Sequence, residues 1–152
     1  MNVFIGIWTD FVLMSEEQAQ QLMYQMQMLE NYFTELSRKE ESLYGMIREA
    51  TSAIESIKSL GEKEESTTLV PLGMGSFVKA KISANEKLIL NLGAGTAIEK
   101  DKNSTINFLE SRVKELEVAL RDTSAQKQQV MANLEQGKQQ INHMMKSSQN
   151  KN

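Results

Sequence analysis

The chain has 152 residues, 40% of them hydrophobic but only 6% aromatic, with a single Pro, no Cys and a formal net charge of -3 at pH 7. Without Cys there is neither a disulfide nor a thiolate metal site, and the lone His143 has no second histidine with which to build an imidazole site. The acidic balance lacks the clustered Lys and Arg face that nucleic acid requires, and the absence of Cys suits a reducing, cytoplasmic setting.

The first segment, residues 1–14, is read apart from the rest. Met1–Leu13 (MNVFIGIWTDFVL) is apolar but too short to span a bilayer, and it has neither the basic flank nor the small-residue cleavage site of a signal peptide. Met14-Ser15-Glu16-Glu17 looks like a natural start, with Ser15 as N-cap and acidic residues in the first turn. The extension is therefore expected to be an upstream misassignment or a disordered tail. A membrane anchor is disfavoured because no cationic face accompanies the apolar one.

A first coiled-coil helix is predicted over residues 15–61. Leu22, Met26, Leu29, Phe33, Leu36, Glu40, Leu43, Ile47, Ala50, Ile54 and Ile57 follow alternating steps of four and three, with Gly61 as the stop. Around Leu22 the apolar residues exceed what a two-helix seam uses, leaving Met23, Tyr24 and Met28 over.

Residues 66–100 read as two β-hairpins with strands at 68–72, 77–82, 88–92 and 96–100. Gly73-Met74-Gly75-Ser76 and Gly93-Ala94-Gly95 supply the turns, and Pro71 predicts an edge or a bulge. Leu69, Val70, Phe77, Val78, Ile82, Leu88, Ile89, Leu90 and Leu92 are more apolar surface than four short strands can cover. Either a multi-subunit β-barrel or a small private sheet packed on the helices would cover it.

A second helix is predicted over residues 103–147, with a polar tail at 148–152. Its seam runs through Ile106, Leu109, Val113, Leu116, Leu120, Thr123, Lys127, Val130, Leu134, Gly137, Ile141 and Met144. The short head favours antiparallel pairing within one chain. Counting outward from the head puts Glu40 level with Thr123 and Lys127, so a Glu40–Lys127 pair would mark the register. A solvated charge on a loose coil is the alternative. Ile141, Met144 and Met145 bring further apolar groups to the end already rich in methionine. Unbranched, polarizable Met suits a surface that accepts many apolar partners, although these residues would equally pack on one another or on the N-terminal extension.

No catalytic constellation emerges. Neither G-x-G continues into a phosphate-binding Gly-Lys-Ser/Thr sequence or opens a helix, the carboxylates lie on solvated helical faces, and His143 stands near the polar tail without a partner. An α+β protein is expected, a long antiparallel two-helix coiled coil with two β-hairpins between its helices, binding no cofactor, metal, nucleic acid or membrane.

Val70-Pro71-Leu72-Gly73-Met74-Gly75-Ser76-Phe77-Val78-Lys79-Ala80 and Asn91-Leu92-Gly93-Ala94-Gly95-Thr96-Ala97-Ile98-Glu99-Lys100 closely resemble the head of archaeal prefoldin alpha subunits. The likeness extends over about Met14 to Lys146, and residues 1–13 depart from it. Two hairpins rather than one correspond to the alpha class. The resemblance implies an ATP-independent chaperone in which two alpha and four beta subunits join through β-barrel heads. Its coiled-coil tips would hold unfolded client proteins and pass them to a group II chaperonin. On this basis Leu69, Val70, Phe77, Val78, Ile82, Leu88, Leu90 and Ile98 would serve oligomerisation, and Leu22, Met23, Tyr24, Met26, Met28, Ile141, Met144 and Met145 client binding. The rival reading is a structural tether or adaptor binding one folded partner.

Overall fold

The computed structural model describes residues 2–60 and 64–150, and over residues 2–15 it describes the backbone path and Gly6 alone. Gly61, predicted above as the stop of the first helix, lies outside the described residues. The order is α1 (Asn2–Ser59), β1 (Glu65–Gly73), β2 (Ser76–Ser83), β3 (Leu88–Gly93), β4 (Thr96–Lys100) and α2 (Lys102–Gln149). No Pro interrupts either helix, and the only Pro lies in β1. Helix α1 begins at Asn2, well before the expected Ser15. Nothing between Asn2 and Ser15 breaks a helix, so the Ser15 cap signal is overrun.

Two compact units make up the chain. In the first, the α1 residues up to Glu41 pack against the α2 residues from Arg121. Met26 meets Gly137, Phe33 meets Lys127 and Glu40 meets Ser124, so rising numbers on α1 face falling numbers on α2. The helices are thus antiparallel. Met26, Leu36, Val130 and Leu134 form the core, with Leu29, Phe33 and Ile141 packed against it. These lie on the heptad seam, because steps of four and three keep a stripe facing the partner helix.

Gly137 interrupts the apolar seam in sequence, but the structure gives it a use. A Cβ at this position would overlap the Met26 sulfur and approach its Cε and Cγ to 3.2 and 3.3 Å. Gly inside a helix costs about 1 kcal/mol against Ala, whereas overpacking a filled seam costs about 1–3 kcal/mol. Because only the far part of the flexible Met26 side chain stands in the way, Gly137→Ala should come out close to neutral, within about 1 kcal/mol. In a Met26→Ala background, where the space is vacated, the same change should stabilise by up to about 1 kcal/mol. Denaturant midpoints of the four proteins decide this, and equal effects in the two backgrounds would refute it.

The second unit, Ser42–Leu120, holds the hairpins and the helix segments beside them. Leu43, Ile54 and Leu116 are buried, and Lys58 reaches Glu110 at 3.7 Å. The β1–β2 and β3–β4 ladders are separate two-stranded antiparallel sheets, with no ladder joining them among the described residues. Both turns use one geometry. Met74-Gly75 and Ala94-Gly95 all have positive φ, as the two central residues of a type I′ hairpin turn must, and each pair follows a positive-φ Gly at a register shift. In β1 that shift comes directly after Pro71.

The junctions are tied by specific bonds. The Lys102 ammonium donates to the Lys58 carbonyl at 3.1 Å, satisfying an orphan acceptor at the end of α1. Asp101 caps α2, its carboxylate accepting from the Ser104 N–H and hydroxyl, both at 2.8 Å. These bonds, the backbone one first, hold the Asp101 carboxyl below the ordinary aspartate range. Ile57, Leu60, Ile82 and Leu88 converge with Lys102 on a small recess where the hairpins meet the helices.

Candidate functional site

Three groups of residues stand out: the end of the helix pair, the hairpins and a polar layer in the seam. At the end, Met23, Tyr24, Met28 and Met145 are 61%, 66%, 55% and 59% exposed. Leu22, Ile141 and Met144 are half-buried. Met26 is a correction to the expected surface. It is only 7% exposed and sits in the seam on Gly137, because it occupies a heptad position facing the other helix. Tyr32 and Met131 are further exposed apolar groups of this unit, outside the set expected from sequence. His143 lines a shallow groove with Gln136, Gln139, Gln140 and Met144.

In the hairpins Leu69, Val70, Phe77 and Val78 are exposed, while Ile82, Leu88, Leu90 and Ile98 are half-buried. Val70 pairs directly with Val78, and Leu90 with Ile98. Leu72, Met74, Ile89 and Leu92 add exposed apolar surface around the turns and on the outer face. Leu72 and Leu92 each stand at the register shift beside a turn.

The polar layer joins residues from both helices. Glu40 accepts from the Lys127 ammonium and from the Ser124 hydroxyl, and Thr123 is buried beside Ser124 in sequence. Lys127 also lies 5.6 Å from the centroid of the Phe33 ring. Ser124 lies off the heptad seam, so the apolar spacing gives no sign of its part in the layer. The Lys127 bond, then the Ser124 bond, lowers the Glu40 proton affinity below the ordinary value of 4.5, with burial opposing in part.

A carboxyl with a depressed native pKa stabilises the fold above its unfolded pKa and loses that contribution as pH falls through the native value. The stability difference between wild type and Lys127→Met should therefore be large at neutral pH and shrink below about pH 4.5, where protonated Glu40 no longer needs its partner. Chemical denaturation across this range measures it. A difference independent of pH would mean that lost packing on Phe33 is the whole effect.

Among the described residues no group of His, Cys, Asp and Glu could hold a metal ion, and no helix is long and apolar enough to cross a membrane. Two antiparallel helices with separate hairpins between them match known proteins. The family model for prefoldin subunits matches residues 16–151.

The chain belongs to the prefoldin family.

The prefoldin alpha subunit of Nitrosopumilus maritimus is 58% identical over 136 residues, covering 90% of this chain and 94% of that protein. The prefoldin alpha subunit of Methanoregula boonei is 32% identical, covering 74% and 82%. A cryo-EM structure of filamentous PFD from Methanocaldococcus jannaschii superposes with a TM-score of 0.64 at 20% identity, covering 72% of this chain and 92% of that one, a likeness of fold. Prefoldin subunits are non-enzymatic chaperone subunits that assemble with other prefoldin subunits.

Proposed function

We propose that this prefoldin chain is an alpha subunit that captures unfolded polypeptides without ATP and delivers them to a group II chaperonin in the cytoplasm. The observation that carries this reading is the exposed set Met23, Tyr24 and Met28 on α1 and Met145 near the end of α2. Such a patch, of adaptable rather than shape-specific side chains, suits partners of many sequences. The exposed hairpin residues Leu69, Val70, Phe77 and Val78 are the surface assigned to assembly, with two alpha and four beta subunits bringing six helix pairs together. Several weak apolar contacts on separate arms then hold one unfolded chain at high effective concentration, and release follows by competition without nucleotide.

The test is light scattering of two unrelated denatured proteins diluted into buffer with the assembled complex. Aggregation of both should be suppressed equally with and without ATP. Protection of neither, with binding of a single folded partner instead, would replace this reading by that of a tether.

A further inference from the structure

The end of α1 differs in charge from the rest of the molecule. Residues 1–37 contain no Lys or Arg, and the first cation is Arg38. Glu16, Glu17, Glu30 and Glu35 are exposed there and enter no ion pair among the described residues. Beyond Arg38 the helix mixes both signs, and the matching part of α2 carries Lys138 and Lys146 against Glu135. The cation-free stretch is therefore local to one helix.

It also coincides with the exposed apolar residues. At about 100° per residue, the half of α1 turned away from the Leu22, Met26, Leu29 and Phe33 seam carries Tyr24 and Met28 interleaved with Glu16, Glu17 and Glu35, while Met23, Tyr32 and Glu30 stand at its margins. The remaining positions are mostly amides, such as Gln20, Gln27 and Asn31. Methionine and tyrosine alone would take any apolar segment. Unpaired carboxylates among them repel acidic segments and attract basic ones, and the tyrosine rings give a cation a second favourable contact.

We propose that the outward face of α1 from Glu16 to Glu35 selects unfolded segments in which apolar residues are flanked by Lys or Arg. This rests on the capture reading above, of which it specifies the client class.

Three labelled peptides sharing one Leu/Val/Phe centre, flanked by lysines, by glutamates or by serines, test it against the full chain in its assembled form. The lysine peptide should bind about tenfold more tightly than the glutamate peptide at low salt, with the serine peptide between them. High salt should bring the three together. The variant Glu16→Gln, Glu17→Gln, Glu30→Gln, Glu35→Gln should reduce the lysine-to-glutamate ratio to within about twofold and leave the serine peptide's affinity unchanged. Should that variant fail to fold, the salt titration of the unaltered chain decides the same question. Equal binding of the lysine and glutamate peptides beside firm binding of the serine peptide overturns the charge selection alone. No binding of the serine peptide overturns the capture reading, and the selection with it.

Discussion

Serine at Met23, Tyr24, Met28 and Met145 together should remove most of the protein's ability to keep denatured clients from aggregating, while its helix content and assembled mass stay unchanged. All four side chains are more than half exposed, so they contribute little to the seam, and each change should cost under about 0.5 kcal/mol of stability. Their loss from a client contact is larger. Covering one such side chain is worth about 1.5–3 kcal/mol at most, and each 1.4 kcal/mol is about tenfold in affinity. Four of them, repeated over several arms, should lower protection to under about one tenth at equal concentration. Light scattering with two clients reads this directly, and undiminished protection would place capture elsewhere. Met26→Ser serves as the contrast. Because Met26 is buried on Gly137, its loss should appear as a lower melting temperature.

The second large effect is expected in the hairpins. Val70 and Val78 are direct cross-strand partners and both are exposed. Val70→Glu with Val78→Lys replaces two apolar side chains by a charged pair whose members still attract across the ladder, so the hairpin itself should persist. In an interface between subunits the same pair would have to shed its water, at a cost of several kcal/mol that apolar neighbours do not return. Association should weaken by more than about a hundredfold, and native mass measurement at micromolar concentration should find the single chain. An unchanged assembly mass with an intact circular dichroism spectrum would put the assembly surface outside these two strands.

Much of this fold is legible in residue types alone, because its signals are periodic and local. Apolar steps of four and three, unbroken by Pro, mark both helices, and two Leu-Gly-x-Gly stretches mark the hairpin turns. Counting residues outward from the head places Glu40 opposite Lys127, where the two do meet. What escapes such counting depends on fit across the seam. Met23 and Met26 are chemically alike and three positions apart, yet one faces water and the other the opposite helix. Gly137 looks like a gap until the Met26 sulfur is seen against it. Ser124 contributes its hydroxyl from beside the seam, outside the heptad positions. The Asp101 cap does carry a sequence signal, an Asp just before a helical pattern with Ser following in its first turn. The strand pattern that runs up to Lys100, directly before it, obscures that signal.

Gly137 and the polar layer have a mechanical consequence. Met26 and Glu40 stand about 21 Å apart along α1, and each fits only its own partner on α2. Sliding one helix along the other would drive a side chain into Met26 and strip Glu40 of both donors at once. Separating the helix ends beyond Met26 disturbs neither. This part of the pair should resist shear while yielding readily to splaying, a combination that lets its two helices part without losing their alignment.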